Sequence, residues 1–205
     1  GMPMKTETRT TGASLKADIK LGNNDLLRVG SELQRFRLDD WWPASGGGMW
    51  PGTFVNINDG ERDRKAVFVE WETQHSERWT TLLGLRYERV SMDAGAARGY
   101  NPTSNGAAPM FNYQQRDGDA FNASGRSRHD NNWDFTALTR YQASSAFDME
   151  FGFARKTRSP SLYETYPWST WQMAALMNNF VGDGNGYVGN PDLDPEKAYT
   201  LSATF

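Results

Sequence analysis

The sequence predicts an all-β chain: an antiparallel meander of about seven strands with one apolar and one polar face. Three observations carry that expectation. Apolar and polar residues alternate with a period of two over strand-length segments. Large aromatic residues stand at the ends of the apolar rows. Tight connections alternate strictly with long, glycine-rich ones.

The first segment sets Leu15, Ala17, Ile19 and Leu21 against Ser14, Lys16, Asp18 and Lys20. The second, near Asp25 to Leu38, is less regular, with Leu27, Val29 and Leu33 against Arg28, Glu32 and Gln34. The third opposes Val67, Val69 and Trp71 to Phe68, Glu70 and Glu72. The fourth opposes Trp79, Thr81, Leu83, Leu85 and Tyr87 to Gly84, Arg86 and Glu88. In the fifth, Trp133, Phe135, Ala137 and Tyr141 alternate with Asp134, Thr136 and Arg140. The sixth alternates Phe147, Met149, Phe151 and Phe153 with Asp148, Glu150 and Gly152. The last alternates Tyr199, Leu201, Ala203 and Phe205 with Thr200, Ser202 and Thr204. Helix is expected only in a short piece around Trp171 to Asn178.

Tight turns are expected near Gly22 to Asn24, Gln74 to Arg78 and Ala143 to Ala146. Long connections are expected from Asp39 to Glu61, Asp93 to His129 and Arg158 to Asp194. A compact soluble domain has little use for three such loops. An outer-membrane barrel has short turns at one end and long loops at the other.

The aromatic placement points the same way. Trp79, Leu83, Leu85, Tyr87, Trp133, Phe135, Tyr141, Phe151 and Phe153 fall on one face, with Asp134, Arg140, Asp148 and Glu150 on the other. Eight strand residues cover roughly 26 Å, or about 20 Å along a membrane normal at ordinary tilt. That suits a lipid-facing band with an aromatic girdle at each interface. A soluble β-sandwich binding carbohydrate or another ligand shows the same alternation and is the alternative reading.

Bulk properties narrow the classes. No apolar run is long enough for a membrane-spanning helix, and mean hydropathy is −0.73. The net charge of −3, with basic residues dispersed, gives no reason to expect nucleic acid. Cysteine is absent, which removes disulfides, iron–sulfur sites and thiol nucleophiles. The two histidines, His75 and His129, lack metal-motif spacing and read as solvated loop residues, so no enzyme constellation emerges.

The stretch from Ala154 to Thr200 is the richest. Pro160, Pro191 and Pro195 lack a ladder donor and stop strands. Asn190-Pro191 and the glycines from Gly182 to Gly186 are turn chemistry. Read physically, these residues mark strand ends rather than contact a substrate. Gly184, Gly186 and Gly189 match a dinucleotide-type pattern but precede no helix. Asp183 and Asn185 begin like a calcium loop, but Tyr187 and Val188 break it.

The same stretch resembles the barrel of TonB-dependent outer-membrane receptors. Ala154, Arg155, Arg158 and Pro160 match a strand-ending pattern, and Tyr163, Glu164 and Tyr166 follow in the loop. Gly189, Asn190, Pro191, Leu193, Pro195 and Glu196 match the return to the next strand. The resemblance implies a segment of a 22-stranded barrel filling residues 1–205, with plug domain and remaining strands outside it. It implies a bacterial outer-membrane location, lipid around the wall, and coupling to the TonB energy-transducing complex through the plug. No signal peptide is visible and Gly1 precedes Met2, so the sequence reads as a fragment; in isolation it is expected to cover its apolar face by self-association or by curling into a sandwich-like core.

The run from Ser169 to Asn190 is most similar to the copper-receptor branch, which implies copper as transported substrate with no resident cofactor required. Thioether sulfur is a soft ligand suited to Cu(I). Met2, Met4, Met173 and Met177 are therefore the candidate metal ligands. Against this, Met173 and Met177 stand four apart, as residues packing one helical turn do.

Overall fold

A computed structural model describes residues 3–45, 52–100 and 109–205, with side chains in the last segment from residue 113. Seven strands form one antiparallel sheet in sequential order. They are β1 (Lys5–Leu21), β2 (Asp25–Trp42), β3 (Phe54–Ser76), β4 (Trp79–Asp93), β5 (Arg128–Ser144), β6 (Phe147–Arg158) and β7 (Glu196–Thr204). Every neighbour is a hairpin partner, as short turns between alternating segments require. The sheet is not closed, and β1 and β7 form its edges. Among the described residues there is no second sheet, so the sandwich alternative is not this fold.

Register fixes the faces. Tyr87 lies between Val67 and Trp133, Leu85 between Val69 and Phe135, and Trp79 opposite Tyr141. Phe153 and Phe151 continue the row through Ala137 and Thr139 to Leu201 and Ala203. The expected apolar face is therefore one continuous surface, and Leu85, Trp133, Phe135, Phe151 and Leu201 are exposed on it. Asp134, Arg140, Asp148 and Glu150 share the opposite face with Arg86 and Gly84.

The strands outrun their sequence signatures. β3 has 23 residues and β2 has 18, well beyond the roughly 10 that span a bilayer. The first long connection consequently shrinks to residues 43–53 instead of running from Asp39 to Glu61. The other two occupy 94–127 and 159–195. The tight turns hold, with Gly22 at φ +80°.

Helix is more extensive than expected. Besides α3 (Gln172–Met177), close to its expected place, there are α1 (Pro109–Ala123) and the single turn α2 (Leu162–Thr165). The expectation of one short helix is thus corrected. Gln114, Asp117 and Gly118 form the buried side of α1, so its buried stripe is polar and gives no apolar period.

These loop elements fold onto the charged face at the long-loop end. Leu162 and Tyr166 pack with Leu38, Val90 and Met92. Trp168, Trp171 and Ala174 pack with Trp42, Phe54 and Tyr100, and Phe54 stacks on Trp168 at 4.9 Å. The buried core thus lies under the loops, beyond the apolar band, and Phe121 touches both clusters.

Candidate functional site: the charged face and its clasped loop

The charged face is built from strand positions that alternation turns away from the aromatic face. Arg28 reaches Glu70 at 2.7 Å, Glu72 at 3.1 Å and Asp18 at 3.7 Å, joining β1, β2 and β3. Arg86 bonds Glu32 at 2.7 Å and Glu88 at 3.2 Å, while Arg64 bonds Glu88 at 2.6 Å and donates to Gln34 at 3.2 Å. A hollow of about 360 Å³ lies over this second network, reaching Gly12 and Ser14. Single exposed ion pairs are weak, but linked arginines in rows give a stiff, hydrated wall. Its chemistry suits contact with water, charged protein or a polar solute.

Gly30 also belongs to this face. A Cβ there would meet the Phe68 ring at 2.4 Å and the Leu15 carbonyl at 2.8 Å, so glycine lets Phe68 lie flat across β2.

At the long-loop end, the motif residues make a clasp. Arg158, the last residue of β6, grips Glu164 through two 2.9 Å bonds and Glu196 at 3.0 and 2.9 Å. One guanidinium thus ties the end of β6, the loop helix α2 and the first residue of β7. Glu164 also closes a capping box with Ser161. Its carboxyl is held down at about 2, chiefly by Arg158 and further by the Ser161 amide. Gly189 donates to the Pro167 carbonyl and Asn190 to the Glu164 carbonyl. A Cβ on Gly189 would stand 2.5 Å from the Thr165 backbone, so only glycine fits. Arg128 holds the carbonyls of Pro191 and Leu193, and the fully buried Tyr166 donates to the Arg126 carbonyl at 2.6 Å. The motifs pin a loop, as their turn chemistry indicates.

Beside the clasp is a buried polar cluster that the alternation pattern did not reveal. Asp40 is fully buried and accepts from Thr6 at 3.2 Å, from Asn56 at 2.8 Å and from Tyr163. Asn56 also donates to Asn178 at 2.8 Å, which closes α3. Burial pushes the Asp40 carboxyl up, and burial beside that carboxylate pushes the Tyr163 phenol up to about 12. A signal was present: Leu38, Asp40 and Trp42 continue the period of two past the expected strand end.

The candidate metal ligands differ in their surroundings. Met2 lies outside the described residues. Met4 is exposed just before β1, and Met173 is exposed on α3. Met177 packs against the cluster around Trp42 and Trp168. Among the described residues, no group of three or more His, Cys, Asp or Glu has metal-holding geometry. His75 meets Trp79 in a tilted ring pair, centroids 4.5 Å apart, and contacts Thr81, in the region of a tight turn. His129 is exposed on β5 opposite Ser91. The Asp183 carboxylate is spent on its own turn, accepting from Asn185 and Tyr187. Gly182 and Gly184 take positive φ there.

Comparison with known proteins bears on this arrangement. Among curated proteins no relative matches. Among solved structures, "Copper transporter OprC" superposes with a TM-score of 0.66 at 16% identity, covering 98% of this chain and 27% of that one. At that identity the likeness is one of fold. The chain spans little more than a quarter of that transporter's length. The family description "TonB dependent receptor-like, beta-barrel" matches residues 3–205, and with the two-faced meander and clasped loop already in view, the chain belongs to that family.

Proposed function

We propose that residues 1–205 form part of the wall of an outer-membrane active-transport receptor that imports a metal or metal complex, with copper as the favoured substrate. The observation that carries this is the two-faced sheet. One surface has aromatic residues at both edges, the other is laced with ion pairs, and all long loops gather at one end. The aromatic face meets outer-membrane lipid and the charged face lines the lumen. Further strands extend the sheet from β1 and β7, and a plug domain rests against the ion-paired wall. Through that plug the receptor engages the TonB energy-transducing complex. The role is transport, without catalysis, a resident cofactor or nucleic acid.

Copper is supported by the fold likeness to a copper transporter and by methionines at the loop end. Met4 and Met173 offer exposed sulfur, whereas Met177 is better explained as packing. The test is cellular copper content, measured by mass spectrometry, in cells with the full-length receptor, without it, and without the energy-transducing partner. Copper is expected to fall in both deletions. Equal copper in all three strains rules out copper import. Changing Met2 and Met4 together to Leu, which keeps volume and removes sulfur, should weaken copper binding by the full-length receptor; unchanged affinity eliminates those ligands.

A further inference from the structure

The aromatic face carries cations as well as rings: Arg155 lies opposite Phe135, and a like-charged pair stands at one edge. Lys65 on β3 and Arg89 on β4 stand directly opposite each other. They occupy the row immediately beyond Val67, Tyr87 and Trp133, at the long-loop edge of the band. Like charges at directly opposed positions destabilise a sheet. Both side chains are exposed, and among the described residues neither has a carboxylate within ion-pairing distance. Asp63 and Glu61, farther along the same face, are both engaged by Arg37, at 2.6 and 3.4 Å. Arg35, opposite Asp63, adds a third exposed cation diagonal to Lys65.

Directly below the pair lies an apolar hollow of about 410 Å³, lined by Val67, Val69, Leu85, Tyr87 and Trp133. Tyr87 and Trp133 meet along it with ring centroids 4.9 Å apart. The Tyr87 hydroxyl is already committed to Asn131 at 2.7 Å, so this wall offers a ligand hydrocarbon contact.

We propose that Lys65 and Arg89 bind the phosphate of an acylated membrane lipid in the outer leaflet, with one of its acyl chains seated in the hollow beneath them. The proposal rests on the membrane reading above. A phosphate between two opposed cations turns their repulsion into attraction. Inorganic phosphate satisfies the cations but leaves the hollow unused. A lipid satisfies both, with head and tail in the order in which charge and apolar surface occur along the strands.

The test uses full-length receptor purified in lipid-free detergent and native mass spectrometry. The probes are bis-phosphorylated lipid A, the same lipid without its phosphates, and inorganic phosphate. Wild type is expected to retain the phosphorylated lipid, and the dephosphorylated lipid at least tenfold less. The double variant Lys65→Gln/Arg89→Gln should lose at least tenfold of the retained phosphorylated lipid, while Lys16→Gln on the charged face should lose none. In detergent without lipid the double variant should melt no lower than wild type, since a repulsion has been removed. Equal lipid retention by the double variant overturns the site, as does unfolding of that variant in lipid-free detergent. Full displacement of the lipid by millimolar inorganic phosphate overturns the role of the hollow. Fractionation of wild type and variant with the outer membrane is scored separately; failure of wild type there sinks the membrane reading itself.

Discussion

Asp40 shows how much one side chain can depend on distant sequence. Its partners come from β1, from the start of β3 and from α2, with α3 one bond further away. Alternation along β2 could place Asp40 on the charged face, but nothing local announces a donor more than a hundred residues away, Tyr163. With its folded-state carboxyl raised above the ordinary 3.8, Asp40 favours folding in the protonated form, and that contribution is lost as pH rises through the raised value. Asp40→Asn should therefore hold the loops at neutral pH at least as well as wild type, with a shallower pH dependence. Asp40→Leu strands the buried Asn56 amide on that side and should cost about 1–3 kcal/mol. Thermal melts of the full-length receptor from pH 4 to 7 check both; equal slopes for wild type and Asp40→Asn would remove the carboxyl from the account. Gly189→Ala should cost about 1–3 kcal/mol because the added methyl meets Thr165 backbone that cannot yield.

Among the elements, the seven strands and α3 were legible because period two and turn residues are local signals. The strand ends beyond the band were less so. There the aromatic-face positions become Arg35, Lys65 and Arg89 while the other face becomes Leu38, Val90 and Met92, so the pattern inverts without stopping. α1 was missed because Gln114 and Asp117 occupy its buried stripe. The clasp was half legible: its prolines and glycines read as turns, but the Arg158 tie exists only once β6, α2 and β7 meet. Glu164 sits near 2 instead of the ordinary 4.5, so its contribution is complete above about 4.5 and is lost as pH falls through about 2. Protection of residues 159–195 against hydrogen exchange, taken relative to the intrinsic rate at each pH, should accordingly fall over that acid interval in wild type and stay flat there in Glu164→Gln. Arg158→Lys keeps the charge but loses the fork, and should loosen the same loop at neutral pH by about 1 kcal/mol, since the site is half exposed. Unchanged exchange in Arg158→Lys would mean that the backbone bonds of Gly189 and Asn190 hold the loop unaided.

For the whole molecule, the decisive property is that, among the described residues, nothing covers one broad apolar surface. In water such a patch is a liability; in a bilayer it is the wall. The two environments predict different responses to charge. Leu83 lies mid-band, between Trp71 and Ala137 on the aromatic face. Tyr87 lies at the band's long-loop edge, and Thr136 lies on the charged face beside a hollow of about 280 Å³. If the aromatic face meets hydrocarbon, an arginine should cost about 2–4 kcal/mol at Leu83 and about 0–1 at Tyr87, where it can reach the headgroups. At Thr136 an arginine enters a hydrated wall with room to spare and should change stability little. Denaturant unfolding of the full-length receptor in bilayers, compared across Leu83→Arg, Tyr87→Arg and Thr136→Arg, reads out that gradient. A sheet whose aromatic face is covered by protein would respond to local packing, with no dependence on distance from the band edge. Equal costs at Leu83 and Tyr87, or a greater cost at Thr136, would therefore place protein against this face and remove lipid from the account.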